Sequence, residues 1–415
     1  MDNFVYKNGE LFCEEVPVGK IAEEVGTPIY IYSYETLKRH FTVFDSSFEK
    51  IKHITCYSVK ANSNLSVLNI FKQLGSGFDI VSGGELFRVL KIGADTKKIV
   101  YSGVGKTEGE IKFALESNIL MFNVESFEEL YTINRVAESL NKKAPVALRV
   151  NPDVDPQTHP KISTGLKKNK FGVNINQALK WYKEAEQLKN IEILGVDCHI
   201  GSQLTKTSPF VDALKKVVNL INELKNHNIN ISYLDIGGGL GVCYKDEVPP
   251  TPQEYADAIL DVIDGLNITL ILEPGRVLVA NAGILVCKVL YNKRGDLKHF
   301  IIVDGAMNDL IRPSLYEAYQ EIIPVKEGES KIITADIVGP ICESGDYLGQ
   351  DREIKELNQG EFIAVRSAGA YGFTMASNYN SRPRAAEVIV KGDKYSIVRE
   401  RETYDELIRG ESVKF

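Results

Sequence analysis

Long apolar runs, clustered positive charge and paired cysteines are all scarce in this 415-residue chain, and each shortage removes a class of protein. No stretch approaches the roughly 20 apolar residues needed to span a bilayer, so no membrane protein is expected. The opening MDNFVYKNGELFCEEVPVGK has no basic stretch leading into an apolar one, so no secretory leader is expected either. Lysine and arginine number 49 against 56 aspartates and glutamates, a net charge of −7, and no basic run is longer than Gly165-Leu166-Lys167-Lys168-Asn169-Lys170. That balance favours solubility and argues against a nucleic-acid or lipid surface. The six cysteines, at 13, 56, 198, 243, 287 and 342, show no CxxC spacing, so neither a disulfide framework nor a metal site is indicated. What remains is a cytoplasmic globular chain, 44% hydrophobic and 25% charged, long enough for two domains.

Against that background CYSVKANSNLSVL stands out, with Lys60 as its only lysine. HITCYSV (53–59) is β-branched, aromatic and almost uncharged, as a core strand is, and Lys60 leads into the polar turn Ala61-Asn62-Ser63-Asn64. The plain reading is a strand-end lysine that snorkels to solvent. The functional reading is an amine delivered to a catalytic position, and the rest of the chain favours it.

Seven further apolar runs of strand length follow: GFDIVS (77–82), KIVYSG (98–103), ILMFNVE (119–125), VALRVNP (146–152), ILGVDCHIGS (193–202), YLDIGGG (233–239) and LILEPGR (270–276). Between them lie segments with helical apolar spacing, such as GGELFRVLKIG and PFVDALKKVVNLINELKNHN. Alternating strands and helices imply parallel pairing, and eight such units fit a (β/α)8 barrel better than an open doubly wound sheet, although periodicity does not show closure. A barrel places its chemistry at the C-terminal strand ends. Lys60, Asp79, Ser82, Asn123, Glu125, Arg149, Asn151, His199, Ser202, the Gly237-Gly238-Gly239 run, Glu273 and Arg276 all fall within or at such ends. Any one of them suits a cap or a satisfied core group; their joint placement suits a site.

The loops after the seventh and eighth strands, DIGGGLG and EPGR, are where such barrels bind phosphate, although GGGLG is equally a tight turn. A phosphate group on a cofactor that also needs a lysine suggests pyridoxal 5'-phosphate. Lys60 suits its aldehyde and Glu273 its pyridine nitrogen. His199 can lie flat on the ring, and Ser202 with the backbone of Gly238 and Gly239 can hold the phosphate. From about residue 277 the pattern changes to strands without helices, so a second, mostly β domain is expected, with Val5-Tyr6 and Leu11-Phe12 as possible added strands. Its motifs MNDLIRPSLY, GPICESGDYLG and AGAYGF exceed what hairpin turns require.

With CYSVKANSN, HPKISTGLKKNKFG, HIGSQ, DIGGGLG, EPGR, MNDLIRPSLY, CESGD and GAYGF in this order, the chain resembles the diaminopimelate decarboxylases, of the alanine-racemase-like group, over nearly its whole length. CYSVKAN or EPGR alone would also suit ornithine, arginine or carboxynorspermidine decarboxylases. The resemblance implies an N-terminal barrel over 30–275, a β domain from 1–29 plus 276–415, and a homodimer with shared sites. It implies decarboxylation of meso-diaminopimelate at its D-configured centre to L-lysine and carbon dioxide, the last step of lysine biosynthesis. It makes Lys60 the Schiff-base lysine and Glu273 the partner of the pyridine nitrogen. Asp79, His199, Ser202, Gly238, Gly239, Glu273, Pro274, Gly275, Arg276 and Tyr371 would surround the cofactor, and Arg276, Arg312, Tyr316, Glu343 and Tyr371 the substrate. Cys342 would return the proton, a role Lys60 can also fill, with Cys342 and Glu343 arriving from the other subunit. A racemase would want arginine where Glu273 stands, and a non-catalytic regulatory relative would not need all these residues together. Two departures concern packing: Phe78 replaces an expected alanine, and VDGAMND an expected VDAGMND.

Overall fold

The computed structural model describes residues 2–155 and 170–415, so most of HPKISTGLKKNKFG and of the basic run at 165–170 lies outside the described residues. The chain forms two compact units, Phe41–Cys243 with Glu247–Val277, and Met1–His40 with Tyr244–Asp246 and Leu278–Phe415.

The first unit is a closed barrel. Its strands are β1 (His53–Ser58), β2 (Gly77–Ile80), β3 (Ile99–Tyr101), β4 (Met121–Val124), β5 (Ala144–Asn151), β6 (Ile191–Asp197), β7 (Tyr233–Asp235) and β8 (Thr269–Leu272). Each pairs in parallel with the next. The pairs Leu270 to His53, Ile271 to Ile54 and Leu272 to Thr55 join β8 back to β1, which excludes the open sheet. β1, β2, β3, β4 and β7 fall within the apolar runs read from the sequence, and β5, β6 and β8 overlap theirs but begin one or two residues earlier. β2, β3, β4 and β8 are buried along their whole length, as strands covered on both faces are.

Six of the helices between strands start where a short polar side chain can satisfy a free backbone N–H, whereas Ser208–Asn226 has no side-chain cap. Asn64, Ser82, Thr107, Ser126, Asn174 and Thr251 cap the helices Leu65–Gln73, Gly83–Lys91, Glu108–Ser117, Phe127–Ser139, Ile175–Glu186 and Pro252–Ile263. Thr107 with Glu110, and Thr251 with Glu254, complete reciprocal capping boxes. Ser82 is therefore a helix cap, accepting from the Glu85 N–H at 3.2 Å.

The second unit is built on a mixed sheet in the order Tyr347–Lys355, Ile332–Val338, His299–Val303, Gly283–Arg294, Ile29–Ser33, Ala386–Lys391, Lys394–Arg399. Ile29 and Ile31 face a core of Phe4, Leu11, Ile21, Ile284, Val286 and Val388. The intervening Tyr30 and Tyr32 donate to the Asp309 carbonyl at 2.7 Å and to Glu387 Oε1 at 2.8 Å. That period-2 split is what a strand with one apolar face predicts. Because Ile29–Ser33 belongs to this sheet, the passage to the barrel unit falls at residue 40 rather than at residue 30. Phe4–Lys7 and Glu10–Cys13 form a hairpin extended by Val16–Pro17. Among the described residues no helix is long and apolar enough to cross a membrane, and no group of three or more His, Cys, Asp or Glu is placed to hold a metal.

Candidate active site

β1 ends in a single tight turn, Val59–Ala61, that presents Lys60. The Tyr57 hydroxyl donates to the Asn62 carbonyl at 2.9 Å, the Asn64 N–H to Asn62 Oδ1 at 3.1 Å, and Asn64 caps the next helix. The asparagines therefore shape the turn, and the lysine is what it carries. Its amine turns to Asp79 Oδ2, 2.5 Å away, instead of snorkelling outward. Asp79 is fully buried on β2. The Ser58 hydroxyl lies 2.8 Å from Asp79 Oδ2 and 3.0 Å from the Glu273 carbonyl, within reach of either. Asp79 Oδ1 is buried and has no hydrogen-bond partner among the described residues.

Glu273 follows β8 and is buried. Ser102 Oγ approaches its Oε1 at 3.3 Å and Asn123 Nδ2 at 3.4 Å, while the same Asn123 amide donates to Asp235 Oδ2 at 3.0 Å. Burial pushes the Glu273 carboxyl well above the ordinary range, and the charges of Asp235, Asp79 and Asp197 add to this against the opposing pull of Lys60. Burial likewise lifts Asp235 to about 6, although the Gly237 N–H and Asn123 hold it down. Asp197 rises through burial and the neighbouring Asp235, despite Arg149. Arg149 itself is tied to Glu125 at 2.8 Å. Among the described residues carboxylates thus outnumber cations around Glu273, which suits a guest that brings positive charge next to it.

His199 lies past the end of β6. It accepts the Gly238 N–H on Nδ1 at 3.2 Å, which leaves the ring proton on Nε2. Burial, with Arg149 and Lys60, drives its pKa well below the usual histidine range, so the ring is neutral and fit to lie flat against another ring. The glycines beside it have no substitute. A Cβ on Gly237 would sit 2.5 Å from His199 Nδ1, on Gly238 2.2 Å from the Glu273 carbonyl oxygen, and on Gly239 2.5 Å from that of Gly201. GGG therefore lets the ends of β6, β7 and β8 close on one another. The EPGR turn is pinned to β1, since the Ser58 N–H donates to the Pro274 carbonyl at 3.0 Å. Arg276 Nη2 donates to Ser202 Oγ at 3.0 Å.

These groups fit an aromatic aldehyde with a ring nitrogen and a phosphate. Lys60 would supply the amine for the aldehyde, and Asp79 Oδ1 lies buried without a hydrogen-bond partner among the described residues. Among the described residues Glu273 makes no ion pair, and a protonated ring nitrogen would supply one. Ser202, Gly239 and the backbone of Glu273 to Arg276 would hold the phosphate.

The remaining expected residues belong to the β unit. Buried Arg312 opens the short helix Arg312–Tyr316, with its guanidinium 4.6 Å from the centre of the Tyr244 ring. Ser314 Oγ donates to the Gly345 carbonyl at 2.6 Å, tying that helix to the loop with Cys342 and Glu343. The loop folds around Asp346, which accepts the N–H groups of Met307 at 2.7 Å and Ile341 at 2.8 Å. Cys342 and Glu343 are exposed. Tyr371 has a left-handed backbone, φ 53°, within a turn so tight that a Cβ on Gly369 would lie 1.9 Å from the Val279 carbonyl oxygen. Both departures from the family pattern have packing reasons. Phe78 is buried in register beside Tyr57, and any side chain at Gly305 would meet Cys287 Sγ at 2.3 Å, so glycine must precede alanine here. Sequence reasoning passed over Ser58, Ser102, Asp197, Asp235 and Tyr244; an aspartate inside an apolar strand run was the available signal for the two acids.

A closed parallel barrel with one lysine at the end of its first strand and a buried glutamate after its last defines the class of pyridoxal-phosphate-binding barrels. Residues 34–280 match the family described as pyridoxal-dependent decarboxylase, pyridoxal binding domain. The chain is 54% identical to the diaminopimelate decarboxylase of Vibrio cholerae over 100% of its own length and 99% of the relative's. It is 52% identical to that of Pseudomonas aeruginosa, over 100% and 99%. The crystal structure of the diaminopimelate decarboxylase of M. jannaschii with L-lysine superposes with a TM-score of 0.95 at 41% identity, covering 100% of this chain and 98% of that one. The chain belongs to the diaminopimelate decarboxylase family.

Proposed function

We propose that this protein removes the carboxyl group at the D-configured centre of meso-diaminopimelate, releasing carbon dioxide and L-lysine, with pyridoxal 5'-phosphate as cofactor. The observation that carries the assignment is the Lys60 amine held on buried Asp79 in the same barrel as the uncompensated Glu273. When bound, the cofactor supplies an electron sink conjugated with the bond that breaks.

The chain supplies the rest. Asp79 keeps the Lys60 amine aimed inward, and neutral His199 would lie against the ring without adding charge. Glu273 would keep the ring nitrogen protonated, and Ser202, Gly239 and the backbone of Glu273 to Arg276 would take the phosphate. Diaminopimelate has a second amino-acid head that ornithine lacks. Arg276 and Arg312 are the donors suited to its carboxylate, with Tyr316 and Tyr371 adding hydroxyls and Glu343 taking its ammonium. Cys342, or Lys60 once released, returns a proton to Cα. Cys342 and Glu343 are exposed in the single chain, which supports a homodimer in which they serve the partner's barrel.

The test is release of carbon dioxide and L-lysine from meso-diaminopimelate, with ornithine, arginine and carboxynorspermidine in parallel. Turnover confined to diaminopimelate is expected. Faster turnover of ornithine or arginine would overturn the roles of Arg276, Arg312 and Glu343 while leaving the cofactor assignment intact.

A further inference from the structure

The loop bearing Cys342 and Glu343 is gripped by a second segment, Tyr379–Ser381. Asn380 Oδ1 accepts the Cys342 backbone N–H at 2.9 Å, and the Tyr379 hydroxyl donates to Glu343 Oε2 at 3.0 Å. Two consecutive residues thus hold two consecutive residues. Glu343 in turn raises the pKa of the Tyr379 hydroxyl, keeping it a donor.

The gripping segment is itself in an unusual conformation. Asn380 and Ser381 have φ of 54° and 52°, the left-handed region that side-chain-bearing residues seldom occupy and that asparagine tolerates best after glycine. Such a conformation persists only where the surroundings impose it. Here they do so from both sides. Ser377 exchanges hydrogen bonds with Asn308, its N–H donating to the Asn308 carbonyl at 2.9 Å. Glu402 accepts from Asn378 Nδ2 at 2.7 Å, Arg384 Nε at 2.7 Å and the Arg384 N–H at 2.9 Å. Burial opposes ionisation of Glu402, yet these donors prevail and hold its carboxyl at about 2, so the clamp stays charged at working pH.

We propose that Tyr379 and Asn380 are positioning residues for the decarboxylation: Asn380 fixes the backbone from which the Cys342 thiol projects, and Tyr379 selects the rotamer in which Glu343 meets the distal ammonium. The proposal rests on the roles given above to Cys342 and Glu343. An exposed glutamate samples several rotamers, and a hydroxyl fixed on the neighbouring segment removes most of them before substrate arrives. A backbone N–H with a fixed acceptor does the same for the thiol.

The substitutions separate these effects from mere folding. Tyr379→Phe removes one exposed oxygen; it is expected to raise KM for diaminopimelate about tenfold, the size of a lost hydrogen bond to a charged group, with kcat within about twofold. In a Glu343→Gln background the same change should add almost nothing, because the hydroxyl acts through Glu343. A full additional loss there would overturn the proposal. Asn380→Gly keeps the left-handed backbone without strain but removes the acceptor, and should lower kcat about tenfold; Asn380→Asp keeps both backbone and acceptor, and should stay within about twofold of the parent. Equal kinetics for the glycine and aspartate variants would also overturn it. Cys342→Ala and Glu343→Gln in the parent chain tell the two failures apart. If they leave kcat and KM intact, the underlying roles fail; if they impair catalysis while Tyr379→Phe and Asn380→Gly do not, the positioning proposal alone fails.

Discussion

The two units place their functional groups by different means. In the barrel, Lys60, Asp79, His199 and Glu273 stand at or near the ends of parallel strands. The closed ring of strands brings together residues more than 200 positions apart, so each group's place follows from its strand's register. In the β unit, Arg312, Tyr316, Cys342 and Glu343 stand on a short helix and a loop, held by the Ser314–Gly345 and Asp346 contacts and by Asn380. A barrel site is positioned by a repeated architecture, whereas the β-unit site is positioned by individual hydrogen bonds. Removing the strand-end amine of Lys60 should therefore act all or none, and substitutions on the β-unit helix and loop by degrees.

The largest effect is expected at Lys60. Lys60→Ala should abolish turnover with the melting temperature little changed, because the lysine is partly exposed and its turn is shaped by Asn62 and Asn64. Residual turnover close to the parent's would end the Schiff-base assignment. Gly238→Ala comes next. Its Cβ would lie 2.2 Å from a backbone oxygen that has little room to yield, so a destabilisation of about 1–3 kcal/mol in urea unfolding is expected. A neutral result would mean that the ends of β7 and β8 separate more easily than a closed barrel should.

The same contrast governs what could be read from the sequence. The eight barrel strands were legible because each is an apolar run of strand length followed by a helical pattern, and Lys60, His199 and Glu273 were singled out as candidates because they interrupt such runs at the end where a barrel places its chemistry. Closure was not, since hydrophobic periodicity is the same in an open sheet. Nor was the partner of Ile29–Ser33: the alternation of isoleucine and tyrosine specifies a strand but not the sheet it joins. Asp197 and Asp235 looked like part of their runs, and only the structure shows them crowding Glu273. Ser82 shared the strand-end position of the site residues, yet serves the next helix as its cap. In the β unit, motif words marked Arg312, Cys342, Glu343 and Tyr371, but the contacts of Arg312 with Tyr244 and of Cys342 with Asn380 link segments 68 and 38 residues apart. No local pattern encodes those contacts.

Graded effects in the β unit sharpen the contrast. Cys342→Ala should lower kcat by about 10²-fold if the thiol is the general acid, while an unchanged kcat would leave the proton to Lys60. Tyr244→Leu removes the ring beneath Arg312 and should raise KM for diaminopimelate about fivefold, a cation–π contact of about 1 kcal/mol, whereas Tyr244→Phe keeps the ring and should stay near the parent. Equal loss in both variants would show that the hydroxyl, and not the ring face, matters.

The smallest effects lie in how stability depends on pH, where Glu85 in the barrel and Glu402 in the β unit should behave oppositely. Burial raises Glu85 to about 7, even though the Val81 N–H and Lys60 favour its charge. Between its unfolded value near 4.5 and about 7 the folded, cofactor-free chain keeps a proton that the unfolded chain has released, so stability declines as pH rises across that window. Glu85→Gln cannot titrate; its advantage over the parent should grow from pH 4.5 to 7 and then level off. Glu402 is held at about 2, so its contribution is complete above pH 4.5 and disappears as pH falls towards 2. Glu402→Gln should therefore be destabilised throughout the neutral range, with the deficit closing only in acid. Melting temperatures of the parent and both variants between pH 3 and 8 check this, and parallel curves for all three would show that neither carboxyl is coupled to folding in this way.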